Sequence, residues 1–250
     1  MVIRLESLTK RFGSFTAVDG VHLEVDKGEI CGLIGANGAG KTTLIRMICG
    51  ILPPTKGKGT VLGYDMLKER KAIRDRLGYM SQKFSLYPDL TVEENLRFFA
   101  GVYTVDSVHR QVEERMDRFG LREIRREQVS SLPGGWKQKV AFASATVHSP
   151  SLLILDEPTS GVDPITRRGF WDLLYGMAAE GMTVLVTTHY MDEAERCDRV
   201  AMMSRGRLIM EGTVAQLRSR NQSSLDRELP ALEEIFIHMI GEESPRDGTR

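Results

Sequence analysis

At 250 residues, 41% hydrophobic and 27% charged, the chain has the make-up of a globular protein with room for a substantial core, which excludes disorder and fibrous repeats. Lys+Arg and Asp+Glu balance at 34 each, so no overall basic field points to nucleic acid. No stretch approaches the ~18 consecutive apolar residues that cross a bilayer, and residues 1–10 alternate apolar and polar without the apolar centre of a secretory signal. The chain therefore reads as cytoplasmic, with any membrane role carried by a partner.

Ile3 and Leu5, then Val21, Leu23 and Val25, alternate with polar residues as half-buried strands do. The apolar run 30–34 predicts a buried strand feeding a turn at Gly35. Residues 41–49 have helical character and stop at Gly50, a C-terminal cap ahead of Pro53-Pro54. Strands are expected near 59–62 and 77–80. From 91 to 149 the pattern is mainly helical. Thr91-Val92-Glu93-Glu94 is a capping box, 105–119 is charged and amphipathic before Gly120, and 134–147 makes a third helix. Residues 152–155 predict another buried strand, and Asp163-Pro164 opens a helix with Asp as cap and Pro at the first helical position.

Segments 182–187, 199–203 and 207–211 return to strand character. In the tail, 218–250, Leu232, Ile235, Phe236, Met239 and Ile240 form one amphipathic segment, and the last residues read as disordered. The expected organisation is one domain over 1–220, its α/β core at about 1–88 and 151–215 and a helical insert at about 89–150. A short C-terminal helix and tail follow over 221–250. Cys31, Cys49 and Cys197 have no metal-ligand spacing and read as small buried hydrophobes.

Gly35-Ala36-Asn37-Gly38-Ala39-Gly40-Lys41-Thr42 fits the G-x-x-x-x-G-K-[ST] pattern. Its glycines let the backbone curl so that successive N–H groups face phosphate oxygens, and the following helix adds the positive end of its dipole. Lys41 supplies a point charge for the β- and γ-phosphates. The Thr42 hydroxyl is placed to ligate Mg²⁺, with Thr43 beside it in the cradle. This element alone predicts nucleotide binding without separating kinase, GTPase, helicase or transporter motor. Downstream, Leu152-Leu153-Ile154-Leu155-Asp156-Glu157 puts two acids at the end of a buried strand, where ligands sit in open α/β sheets. Asp156 is expected to hold Mg²⁺, directly or through water, and Glu157 to orient and polarise the attacking water.

Further motifs follow in order, and together they resemble the ATP-binding cassette (ABC) transporter ATPases over roughly residues 2–215. The resemblance implies a P-loop NTPase fold, an α/β class with a RecA-like core, an antiparallel β lobe and an inserted α-helical subdomain. It implies that Phe12, in Lys10-Arg11-Phe12-Gly13, stacks on adenine, with Phe15 a second choice. Gln82 resembles the Q-loop glutamine, which reaches Mg²⁺ or the attacking water. Ser160-Gly161-Val162-Asp163 resembles the D-loop that crosses to the other subunit, and His189 resembles the switch histidine at the γ-phosphate.

The departure from the family lies in Leu132-Pro133-Gly134-Gly135-Trp136, where L-S-G-G-Q is usual. Pro133 has neither the serine hydroxyl nor a backbone N–H. Gly134 and Gly135 keep their N–H groups at a helix start, so a weakened contact to nucleotide on the opposite subunit is expected. The lost hydrogen bond to a charged group is worth about 1.5–3 kcal/mol.

A leucine-proline signature is similar to that of cassettes paired with ABC-2-type permeases, many of them exporters. The implied protein is a peripheral ATPase at the cytoplasmic face of the cell (inner) membrane. It binds Mg-ATP between two nucleotide-binding domains, as a homodimer or heterodimer, drives an integral membrane permease, and uses no nucleic acid. Phe84, Leu86 and Tyr87 are expected to receive a short cytoplasmic helix of that permease. Two alternatives stand beside this reading. A regulatory cassette with weak or no hydrolysis is motivated by Pro133. A non-transport ABC ATPase is disfavoured by the short span between Lys41 and Asp156, which lacks sustained heptads.

Overall fold

The computed structural model describes residues 1–83, 85–103, 105–225 and 230–243. In chain order its elements are β1 (Ile3–Phe12), β2 (Phe15–Val25), β3 (Ile30–Ile34), α1 (Lys41–Ile48), β4 (Lys56–Val61), β5 (Tyr64–Asp65), α2 (Arg70–Arg74), β6 (Leu77–Met80), α3 (Val92–Val102), α4 (Val108–Arg118), α5 (Gly134–Thr146), β7 (Leu152–Asp156), α6 (Pro164–Ala179), β8 (Thr183–Thr188), α7 (Met191–Ala194), β9 (Arg199–Ser204), β10 (Arg207–Gly212), α8 (Val214–Leu225) and α9 (Leu232–Glu243).

The described strands form two sheets, one in the order β2-β1-β4-β5 and one in the order β10-β9-β3-β8-β7-β6. The first is antiparallel throughout. The second is parallel from β9 to β6, and β10 joins its edge antiparallel. Strands buried on both faces carry unbroken apolar runs, and period-2 geometry sends alternate side chains to opposite sides. Thus Leu152 and Ile154 of β7 and Leu185 of β8 join one core with α1 and the antiparallel sheet. Leu153, Leu155, Val184 and Val186 join the other core, which runs on into α3, α4 and α5. α1 is wedged between the two sheets through Leu44, Ile45, Met47 and Ile48.

The expected α/β core with an antiparallel lobe and a run of helices after β6 is present. Local rules set two of the helix starts. The Thr91 hydroxyl accepts from Glu94 N at 3.2 Å while the Glu94 carboxylate accepts from Thr91 N at 2.8 Å, the reciprocal capping box. The Asp163 carboxylate accepts from the amides of Ile165 and Thr166, both at 3.0 Å, with Pro164 opening α6. All three cysteines are free and buried, and burial pushes the Cys31 thiol up to about 12.

Three of the described helices, α2, α7 and α8, were not expected from the sequence. α8 runs through position 220, where the expected tail began. Its buried stripe includes Leu217 and then Asn221, whose amide donates to the Leu217 carbonyl at 2.8 Å. A polar residue at the helical repeat breaks the apolar period that would reveal the helix. The terminal residues 244–250, read as disordered from sequence, lie outside the described residues.

Candidate nucleotide site

In the parallel sheet the neighbours β3, β8, β7 and β6 all end on the same edge. The segments leaving those ends carry, in that spatial order, Lys41, His189, Glu157 and Gln82. The cradle spans the turn from β3 to α1. Gly40 precedes α1 at φ +105°, and a Cβ there would stand 2.4 Å from the Ala17 carbonyl oxygen and 2.8 Å from Met203 Cε. Glycine is therefore required twice over, by conformation and by space. The antiparallel lobe and β9 press on the loop from behind, and the Ala39 carbonyl accepts from Gly206 N at 2.9 Å. The cleft in front has a volume of about 420 Å³ and is lined by residues 37–43, Phe15, Ala17, Gln82 and Glu157.

The Lys41 side chain is only 5% exposed. Its ammonium donates to the carbonyls of Gly35 at 2.7 Å and Ala36 at 3.2 Å, and lies 3.5 Å from Glu157 Oε1. Gln82 Nε2 donates to Glu157 Oε2 at 3.0 Å, and His189 Nδ1 lies 3.4 Å from the same oxygen. Three separate strand ends thus converge on one carboxylate. Glu157 itself has φ +49°, a left-handed conformation unusual for a residue with a side chain. Its amide donates to Thr187 Oγ1 at 2.9 Å, which helps to hold that turn. Such strain concentrates at functional sites.

Beside it, Asp156 is buried and accepts from Thr187 Oγ1 at 2.8 Å and from Thr42 Oγ1 at 3.3 Å. Burial pushes its carboxyl pKa up. The hydroxyls of Thr187 and Thr42 oppose that rise, the nearby Glu157 charge adds to it, and Lys41 draws it down. The oxygen donors here, Thr42 Oγ1 and Asp156 with the Gln82 amide nearby, suit Mg²⁺, which binds through few protein oxygens and completes its shell with water and phosphate. No cluster of three or more His, Cys, Asp or Glu suited to a metal occurs among the described residues.

Other expected residues fall elsewhere. Phe12 is 48% exposed, under the Lys10 ammonium at 5.2 Å, and is absent from the cleft lining. Its hairpin partner Phe15, 64% exposed, is the ring that borders the cleft. Gly134 and Gly135 start α5 behind Pro133 and do not line this cleft. An added Cβ at Gly134 would meet nothing within 4 Å, whereas at Gly135 it would meet Thr166 Cγ2 at 3.1 Å. Asp163 also lies outside the cleft, capping α6.

Four polar residues escaped the sequence reading: Thr187, Asn95, Gln138 and Glu193. Thr187 sits between the two acids. Buried Asn95 accepts from Tyr87 N at 2.9 Å and donates to Tyr87 O at 3.0 Å, fixing the segment after Gln82. Buried Gln138 of α5 donates to the Pro158 carbonyl, next to Glu157. Only Thr187, at the end of the apolar run 184–186, carried a signal in the sequence, since a polar residue on a buried strand must find a partner.

A glycine cradle feeding a helix, with a lysine, a hydroxyl–carboxylate pair and a second acid at adjoining strand ends, defines a P-loop nucleotide-binding fold. Within that class the chain belongs to the ABC transporter family: the model described as "ABC transporter" matches residues 18–160. It is 48% identical over 241 residues to the probable multidrug ABC transporter ATP-binding protein YbhF of Escherichia coli, a match covering 96% of this chain and 42% of that protein. The chain thus spans less than half the length of that relative. It is 38% identical over 244 residues to the linearmycin resistance ATP-binding protein LnrL of Bacillus subtilis, covering 96% and 78% of the two chains. Among solved structures, the dimeric, post-hydrolysis ATP-binding cassette MJ0796 bound to ADP and Pi superposes with a TM-score of 0.78 at 26% identity, over 84% of this chain and 98% of that one.

Proposed function

We propose that this chain hydrolyses Mg-ATP as the motor subunit of an ABC exporter, with nucleotide clasped between two cassettes. The observation that carries the reading is the meeting of Lys41, Gln82 and His189 on the Glu157 carboxylate at the mouth of the glycine cradle. The backbone N–H groups of the cradle and the start of α1 grip the phosphates, and Lys41 neutralises the β- and γ-oxygens. Thr42 and Asp156 would hold Mg²⁺, which would supply positive charge to offset the negative charge developing in the transition state. Glu157 accepts a hydrogen bond from the attacking water and draws its proton. Gln82 fixes the orientation of that carboxylate through its hydrogen bond, His189 stands beside it, and both lie within reach of the γ-phosphate and the water. A ring of the β1–β2 hairpin stacks on the adenine: Phe15 borders the cleft, and Phe12, outside its lining, is the other choice.

Gly134 and Gly135 do not line this cleft, which fits a role at the nucleotide of a second cassette. The first N–H groups of α5 have no carbonyl of their own helix to bond and suit an anion. Asp163 and the preceding residues would lie along the same two-fold interface. Loss of the partner's contact on hydrolysis lets the pair open. The multidrug and drug-resistance names of the relatives support export, and the Leu132-Pro133 signature favours a separate permease of ABC-2 type with this chain bound at its cytoplasmic face. Among the described residues no helix is long and apolar enough to cross a membrane.

Phosphate release by the purified chain, followed at rising protein concentration, tests the shared site. The specific activity should climb steeply with concentration, because each site is complete only in a dimer. A specific activity independent of concentration, or no hydrolysis with Mg-ATP at any concentration, would overturn the reading.

A second test concerns the permease contact. Leu86 packs partly against the core, while Tyr87 is 45% exposed with Phe98 edge-on at 4.5 Å. Phe84, also expected there, lies outside the described residues. We place a short permease helix on this apolar edge beside Gln82. Cysteine at Leu86 or Tyr87 should cross-link to a cytoplasmic permease loop in the assembled complex, and no cross-link in any nucleotide state would refute the placement.

A further inference from the structure

Glu193 is a fully buried carboxylate on α7, and it touches none of Lys41, Glu157 or His189. A buried charge is costly unless its oxygens are matched, and here each oxygen has a partner. Oε1 accepts from the Thr159 hydroxyl and lies 3.6 Å from Arg167 Nε, an ion pair beyond hydrogen-bond distance. Oε2 accepts from the Thr188 hydroxyl at 2.6 Å. The Arg167 guanidinium in turn lies over the Tyr190 ring at 4.5 Å.

The positions of these partners give the cluster its meaning. Thr159 stands two residues beyond Glu157, and Thr188 stands immediately before His189. The Thr188 hydroxyl also accepts from Tyr190 N at 3.0 Å, so the residues on both sides of His189 are tied to the same oxygen atom. Between Glu157 and Thr159, the Pro158 carbonyl is held by Gln138 from α5. One carboxylate therefore fastens the segment leaving β7 to the segment leaving β8. Those segments bear the two groups whose separation, 3.4 Å between Glu157 Oε2 and His189 Nδ1, defines the water-positioning corner of the cleft.

We propose that Glu193 is a positioning residue for hydrolysis. It holds the Glu157 and His189 segments in register, and without it nucleotide still binds while turnover falls. The proposal rests on the reading above that Glu157 and His189 serve hydrolysis. Its physical basis is that a near-attack arrangement depends on placement within a fraction of an ångström, and a displacement of about 1 Å costs on the order of a hundredfold in rate. The cradle that binds phosphate is built from β3 and α1 and makes none of these contacts.

The experiment compares Glu193→Gln, Thr188→Val and Thr159→Val with the parental chain, reading kcat, KM for ATP and melting temperature, with Glu157→Gln as control. Glu193→Gln keeps the volume and removes the charge; each valine is close to isosteric and removes one hydroxyl. Expected are a drop in kcat of about tenfold to a hundredfold for Glu193→Gln, smaller drops for the valines, and KM for ATP within about twofold of parental for all three. Glu193→Gln should add little to the loss already caused by Glu157→Gln, because both act on one arrangement.

Should Glu193→Gln fail to fold, the valine variants decide alone. Parental kcat in the folded variants overturns the proposal, as does a fall in kcat no larger than the unfolded fraction read from the melting curve accounts for. If Glu157→Gln is inactive while Glu193→Gln is parental, the positioning role alone fails. If Glu157→Gln also turns over at the parental rate, it is the assignment of Glu157 that fails.

Discussion

Glu157→Gln is expected to bind ATP, to lose turnover by about a hundredfold to ten-thousandfold, and to accumulate as a closed pair of cassettes. The size follows from the usual contribution of a positioned general base. The substitution is close to isosteric, and glutamine faces the same backbone demand at φ +49° as glutamate does. Its side-chain carbonyl can still accept from Gln82 Nε2, now 3.0 Å from Glu157 Oε2. What disappears is a negative charge lying 3.5 Å from Lys41 and 3.4 Å from His189. That charge stands beside the place expected for the γ-phosphate, so removing it lowers repulsion in the ATP-bound state while depriving the water of its base. Sedimentation with and without ATP measures the first effect, as a closed pair, and phosphate release measures the second. A parental rate of hydrolysis would show that another group positions the water.

Lys41→Ala should fail at the earlier step. Its ammonium is buried against the carbonyls of Gly35 and Ala36, aimed along the floor of the cradle. Removing a hydrogen-bonded charge from a phosphate contact costs about 1.5–3 kcal/mol, which weakens ATP affinity about 10- to 150-fold. The variant also leaves Glu157 without its 3.5 Å cation, so the carboxylate then repels phosphate more strongly. Titration with a fluorescent ATP analogue reads the affinity, and the melting temperature without nucleotide checks that the fold survives. Affinity within about twofold of parental would remove Lys41 from the phosphate site. The two variants separate binding from chemistry, one losing affinity and the other losing rate at kept affinity.

Much of this site could be read before any coordinates. The cradle is legible because phosphate binding by backbone amides demands a fixed run of glycines ending in Lys41-Thr42. Asp156 and Glu157 are legible because a short apolar run ending in acids marks the exit of a buried strand. The capping residues Thr91 and Asp163 bond within their own first turns, so nothing distant is needed to find them. Position 133 likewise announced a helix start that lacks the usual hydroxyl.

The parts that stayed hidden depend on side-chain partners that no local pattern announces, several of them far away in the chain. Glu193 looks like an ordinary acid in Met191-Asp192-Glu193-Ala194 until Thr159 and Thr188 close on it. Gln138 acquires meaning only from the Pro158 carbonyl, and Asn95 only from Tyr87. Phe12 and Phe15 are paired across the β1–β2 hairpin, and the sequence could not tell which ring borders the cleft.

By itself the sequence determined the local chemistry: a phosphate-binding turn, two acids at a strand end, a histidine at another, and helices with their caps. Each is dictated by hydrogen bonds and backbone conformations within a few residues. Only the tertiary structure decided that Lys41, His189, Glu157 and Gln82 meet. That depends on β3, β8, β7 and β6 lying side by side and parallel, in an order unlike their order in the chain. Such an order arises from how crossover helices cover the two faces of a sheet, a long-range packing outcome that leaves no periodic mark on the residues it brings together.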